Sequence, residues 1–294
     1  MDSGHVAKRA RTTPSTAKPT ASVNFTSEKL PFVTLTNSAG DTVKAYPFGA
    51  CITSYVKGGK ETLAMRADNK MDGSKPISGG IPHCFPQFGP GAMQQHGFAR
   101  NCTWDVEAIT DGPDEPSVVF LLKDTAYTRS MWDFAFEVRY TIELGTDSLD
   151  TTFSVLNKGA VPFQFTAALH SYWAVSTVPN ITISGPFKGA SYLDKSVDPP
   201  VTRTGEANEL TISKATDSVF QDVWGDLSIT DRRDASVLGI KASGWTDTVV
   251  WNPLKESMGS SKFVCVECAK AAQPVTVPPG AEWVAAMLVT PGQL

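Results

Sequence analysis

The sequence predicts an all-β protein, a single-domain β-sandwich, on three observations. Between Phe134 and Leu144 the chain alternates with a period of two: Phe134, Phe136, Val138, Tyr140, Ile142 and Leu144 on one face, Ala135, Glu137, Arg139, Thr141 and Glu143 on the other. Turn formers recur along the chain, as at Asn157-Lys158-Gly159, Pro186 to Gly189, Asp198-Pro199-Pro200 and Pro278-Pro279-Gly280. No apolar stripe at helical spacing is longer than about two turns, and there is no heptad or internal repeat. Many short strands punctuated by Gly and Pro make a sandwich the economical architecture.

Residues 1–25 read as a disordered tail ahead of a domain over 26–294. Ser3 to Ser22 is rich in Ser, Thr, Ala, Lys and Arg, holds Pro14 and Pro19, and has no apolar core of a secretory signal. Its basic cluster, Lys8, Arg9 and Arg11, leaves a nuclear address or a transit peptide open beside the plain tail. Strands are expected over residues 32–36, 42–46, 52–56 and 118–122. The alternating run at 134–144 turns at Gly145-Thr146-Asp147-Ser148 into a hairpin partner at 149–156. Further strands follow at 163–170, 180–184, 209–213, 226–230, 237–241, 248–251, 263–267 and 282–289.

The bulk numbers exclude more than they select. A formal charge of -4 over 294 residues gives no electrostatic footprint for nucleic acid or a membrane surface. No run of about 18 apolar residues predicts a transmembrane span. Five cysteines without a secretory signal read as reduced thiols, and a cytoplasmic location is expected. Cys265 and Cys268 form a CxxC, but on a strand residues three apart point to opposite faces, so neither a redox nor a zinc pair is expected.

The segment from Ser78 to Arg100 packs five glycines, three prolines, two histidines and three phenylalanines into 23 residues. Gly79-Gly80, Pro82, Pro86 and Gly89-Pro90-Gly91 exclude a helix or a central strand. What remains is a long loop, held down by Ile81, Phe85, Phe88 and Phe98 and offering polar groups, the usual address of a binding site. His83 and Cys84 read as packing within it. His83, His96 and His170 lack the spacing of any zinc motif, so no metal is expected.

Two candidates emerge for proton transfer. In residues 163–170, Phe163, Phe165, Ala167 and Leu169 share a face, leaving Gln164, Thr166, Ala168 and His170 on the more polar one, with Tyr172 and Trp173 just beyond. Histidine exchanges protons near neutrality. In Phe263 to Glu267, Phe263, Cys265 and Glu267 share a face opposite Val264 and Val266. Glu267 is either a strand-end surface residue or, if recessed, a carboxylate whose desolvation raises it into a general base's range. Neither a GxxxxGK phosphate loop nor a GxSxG nucleophile elbow is present.

Eight segments, FGACITSY (48–55), GGIPHCFPQFG (79–89), QQHGFARN (94–101), FTAALHSYW (165–173), GASYLDK (189–195), TDSVF (216–220), VVWNP (249–253) and FVCVE (263–267), give the chain a specific resemblance. It resembles the aldose 1-epimerase (galactose mutarotase-like) superfamily, in its hexose-6-phosphate mutarotase branch. The resemblance implies a β-supersandwich that binds a hexose, as a monomer and without cofactor, and interconverts its anomers. His170 would act as general acid and Glu267 as general base, with Gln95, His96, Arg100 and Asp217 holding the sugar or its phosphate. Two departures stand out. The branch commonly carries arginine immediately before GGIP, where this chain has Ser78, and its WNPW is WNPL here, with Leu254. Ser78 weakens the expected preference for a 6-phosphate unless Arg66, Lys75 or another basic residue reaches in. An epimerase for unphosphorylated or other sugars, and a non-catalytic carbohydrate-binding protein, are the alternatives.

Overall fold

Three antiparallel sheets account for nearly all regular structure in the computed structural model, which describes residues 22–24, 30–112 and 115–294. Most of the tail expected at 1–25 lies outside the described residues; Ser22–Asn24 pair as an edge strand with Phe32–Thr36. From there a five-stranded sheet continues through Thr42–Tyr46 and Cys51–Lys57 to Lys60–Glu61. A nine-stranded sheet runs in the order Glu209–Leu210, Ile181–Ser184, Asp226–Asp231, Ser236–Ser243, Glu282–Gln293, Leu149–Asn157, Phe136–Leu144, Ser117–Lys123, Asp105–Thr110. The eight-stranded sheet runs Val201–Thr204, Ser191–Asp194, Thr216–Phe220, Asp247–Asn252, Phe263–Val277, Phe163–Leu169, His83–Cys84, with Tyr172–Ala174 also paired to Phe263–Val277. Among the described residues the longest α-helix is the single turn Ala126–Arg129, and no helix is long and apolar enough to cross a membrane.

Strand periodicity decides which side chains meet. The buried face of Phe136–Leu144 (Phe136, Val138, Tyr140, Ile142 and Leu144) joins Phe163, Phe165, Ala167 and Leu169, together with Val264 and Val266, in one core. The five-stranded sheet adds Val33, Leu35, Val43, Ile52 and Tyr55 to the same cluster. With one face of the eight-stranded sheet spent on that core, its opposite face holds a smaller cluster of Cys84, Ala168, Val219, Val249 and Ala269. Phe263 to Ala269 is therefore buried on both faces, as a central strand covered on each side should be.

Several sequence readings need correcting. His83 and Cys84 are not loop packing but a two-residue edge strand opposite Leu169 and Ala168, a place the flanking prolines tolerate because only one side is paired. His83 lies in the core, its Nε2 3.1 Å from the Ala50 carbonyl and its ring against Trp104, Tyr140 and Phe153. The strand expected at 263–267 continues to Val277, past a bulge opposite Phe165 and Ala167. Cys265 and Cys268 do point to opposite faces, and all five cysteines are free.

Candidate active site

The register of the eight-stranded sheet brings the two candidates for proton transfer together. Leu169 is opposite Cys268, and Tyr172 is opposite Cys265. The same alignment therefore holds on both sides of the break at His170 and Ser171, and His170 faces Glu267 across it. The ladder is interrupted where the Ser171 N–H turns back onto the Leu169 carbonyl, while the His170 and Tyr172 N–H groups donate on the other side to the Pro82 and Gly80 carbonyls, in the segment expected to form the loop. Side chains directly opposite on one face stand about 5 Å apart at Cβ, close enough for the functional groups to touch. The neighbouring strands complete two rows: Val219, Val249, Glu267, His170 and, one step along, Asp217, Trp251, Cys265, Tyr172.

His170 Nδ1 lies 3.2 Å from Glu267 Oε1, an approach at ion-pair distance rather than an aligned hydrogen bond. The imidazole stacks on Tyr172 at 4.8 Å and 7°, with Trp251 and His96 edge-on, each at 5.5 Å. Glu267 is only 1% exposed, which decides between the surface and recessed readings of this residue. Burial, reinforced by Asp217, pushes its carboxyl well above the usual range. Burial also holds His170 well below the ordinary histidine range, helped by His96, Arg100 and Arg66. While the cavity holds no ligand, both shifts thus work against charge on the pair.

A cavity of about 280 Å³ opens over this pair. Gln95, His96, Arg100 and Asp217 line it with His170 and Glu267, so every site residue expected from the sequence converges here. The Gly89 N–H donates to His96 Nδ1 at 3.1 Å, which leaves Nε2 to carry the ring hydrogen. Burial, with Arg100 and Lys195 nearby, lowers His96 to about 3, so it stays neutral. Arg100 Nη2 donates to the Gln95 carbonyl at 2.9 Å, while its Nε is buried without a partner among the described residues. Gly97 makes this turn possible. Its φ is 70°, and a Cβ there would collide with the Phe85 backbone, which accepts from both Phe98 and Ala99.

Sequence reasoning missed Lys195 and Trp251 as lining residues and offered Arg66 and Lys75 only as substitutes for the absent arginine. All four line the cavity, as does Ser78. Lys195 Nζ is 3.9 Å from Asp217 Oδ2 and sits over the Phe88 ring. Arg66 is held by two hydrogen bonds to Asp68, at 2.8 and 2.6 Å. The signals were present in GASYLDK, which ends at Lys195, and in VVWNP, which contains Trp251, but only the register shows that they meet. His83 takes no part, because it lies on the other face of the sheet.

Comparison with known proteins matches the aldose 1-epimerase family over residues 31–290. A Cenchrus ciliaris protein named "Putative glucose-6-phosphate 1-epimerase" is 29% identical over 287 residues, covering 90% of this chain and 86% of the relative. An Escherichia coli K12 protein of the same name is 28% identical over 238 residues, 76% of this chain and 78% of the relative. In fold, the crystal structure of a "putative mutarotase" from Salmonella typhimurium superposes with a TM-score of 0.83 at 24% identity, covering 94% of each chain. A galactose mutarotase-like protein from Clostridium acetobutylicum gives 0.78 at 15% identity, over 94% of this chain and 99% of its own.

Proposed function

The chain belongs to the aldose 1-epimerase family, and from that premise we propose that this isomerase interconverts the α and β anomers of a hexose 6-phosphate, glucose 6-phosphate first among them. One observation carries the phosphate: in a protein of net charge -4, four cations (Arg66, Lys75, Arg100 and Lys195) line the cavity above a floor pair whose charged forms burial disfavours. Against them stand the carboxyl of Asp217, itself raised by burial, and the Asp68 carboxylate that holds Arg66. Such a surplus suits a dianion, and charge-assisted contacts to it are each worth about 1.5–3 kcal/mol.

The chemistry needs one acid and one base on the same pyranose. Glu267 takes the proton of the anomeric hydroxyl and His170 delivers one to the ring oxygen. The C1–O5 bond breaks as the C1 carbonyl forms, the aldehyde turns about C1–C2, and closure from the other face returns both protons. A phosphate beside Arg66 and Arg100 cancels two of the charges that hold His170 low. Substrate binding therefore raises His170 toward protonation and arms the acid. His96, with its hydrogen on Nε2, and Gln95 supply fixed donors for sugar oxygens.

Exchange NMR between the anomers of glucose 6-phosphate tests this directly. The protein should accelerate exchange, and His170→Asn and Glu267→Gln should each lose on the order of 100-fold or more. No acceleration by folded protein, or a His170→Asn variant as fast as the parent, would end the proposal. Ser78 favours the second reading, an epimerase for unphosphorylated sugars; equal or faster exchange on glucose would establish it instead.

A further inference from the structure

The proton transfer proposed above uses His170 and Glu267 but leaves Cys265 without a task. Cys265 shares a strand face with Glu267 two residues on, and it lies between Trp251 and Tyr172 in the adjacent row. One donor atom from each of His170, Cys265 and Glu267 lies within 4.8 Å of the others, and all three residues are buried. Of this group, Glu267 Oε2 has no hydrogen-bond partner among the described residues, and His170 Nδ1 has only its unaligned approach to Glu267 Oε1 at 3.2 Å. Buried polar atoms are normally satisfied, so unpaired ones that converge point to a missing ligand.

We infer that His170, Cys265 and Glu267 form a site for a thiophilic divalent cation, zinc by its chemistry, whose binding shuts off the anomerase. A thiolate, an imidazole and a carboxylate are the donor types zinc takes, at about 2.0–2.3 Å each. Binding releases to solvent the proton of the Cys265 thiol and any proton on the Glu267 carboxyl, and the resulting two anionic donors and one neutral donor give zinc a complex of zero net charge, which suits a buried position where an uncompensated ion is costly. Cys265 and Glu267 share one strand face, and His170 sits opposite Glu267 at the break, so the three donors converge from one side of the sheet. His170 and Glu267 line the cavity while Cys265 lies beneath it, so water or a sugar oxygen completes four-coordination from the cavity side. Magnesium and calcium, which prefer all-oxygen shells, do not fit a set containing sulfur. The inhibition rests on the proposed role of His170 and Glu267, because an ion held there occupies the lone pairs through which protons would move. The binding itself does not depend on that role.

The test uses the full chain, freed of metal by a chelator, with cobalt(II) as spectroscopic probe and zinc as competitor. One equivalent of cobalt should give a thiolate-to-metal charge-transfer band with the visible absorption of a tetrahedral site, and zinc should bleach both. Cys265→Ser, with Cys265→Ala as a second variant in case the first misfolds, should lose the charge-transfer band and bind zinc at least about 10-fold more weakly. In anomer exchange, zinc should inhibit the parent, chelator should restore it, and the Cys265 variants should resist the same zinc concentration. A cobalt complex without the charge-transfer band, or Cys265 variants that bind zinc as tightly as the parent, overturns the site. Tight binding with undiminished exchange overturns the inhibitory role. If the protein shows no exchange on any hexose, the anomerase reading fails alone, and the cobalt spectrum still decides the site.

Discussion

His83 shows how little a residue type says by itself. It resembles His170 in sequence, each beside a sulfur- or hydroxyl-bearing neighbour in an aromatic setting, yet one faces the core and the other the cavity. Burial lowers His83 to about 4. Its unfolded value is about 6.5, so between these limits the unfolded chain binds the extra proton and the folded one does not. The stability conferred by a neutral His83 is complete above about pH 6.5 and declines as the pH falls toward 4. The full span is worth about 3 kcal/mol. His83→Gln, which keeps a donor for the Ala50 carbonyl, should shrink the loss of stability between pH 7 and pH 4.5 measured by denaturant unfolding. An unchanged pH slope would contradict this assignment. Residue parity singled out His170 and Glu267 as candidates, because parity needs no knowledge of the partner strand, while their roles as acid and base came from the family resemblance. Their proximity was not legible: it depends on Leu169 meeting Cys268 across about 100 residues of chain.

Among the strands, legibility followed burial on a single face. Phe136–Leu144 alternates cleanly in both sequence and structure because one side of it meets the core, and Leu149–Asn157 follows the same pattern except at the buried Ser154. Val201–Thr204 and Asp105–Thr110 went unseen; they lie at sheet edges and are exposed throughout, so no alternation marks them. Ser191–Asp194 and Thr216–Phe220 were also missed, though they bring Lys195 and Asp217 to the cavity. The bulge in Phe263–Val277 depends on Asp247, which is buried and accepts from the Ala271 and Ala272 N–H groups at 2.8 Å each. It sits opposite Ala269, two residues from Glu267. Asp247→Ala leaves both N–H groups unpaired and should cost about 3 kcal/mol in denaturant unfolding. A loss below about 0.5 kcal/mol would show that the strand holds its bulge without the carboxylate.

At the scale of the molecule, a basic cavity in an acidic protein is a field with a direction. Substrate must pass an overall negative surface to reach Arg66, Lys75, Arg100 and Lys195. Raising ionic strength from about 0.01 to 0.1 M shortens the screening length from about 30 to 10 Å. For glucose 6-phosphate kcat/KM should fall several-fold over that range with kcat nearly constant, while glucose should show no such change. Salt-independent kcat/KM on the phosphate ester would argue that the four cations do not meet the phosphate. The interrupted but unshifted register at His170 has a consequence for descent. The spacing of the proton carriers is inherited with the sheet itself, whereas Arg66, Lys75, Ser78 and Arg100 come from the connections around it. Insertions and replacements in those connections can change which sugar is admitted while the reaction at C1 continues. A lineage can thus change its diet at Ser78 and keep the same teeth.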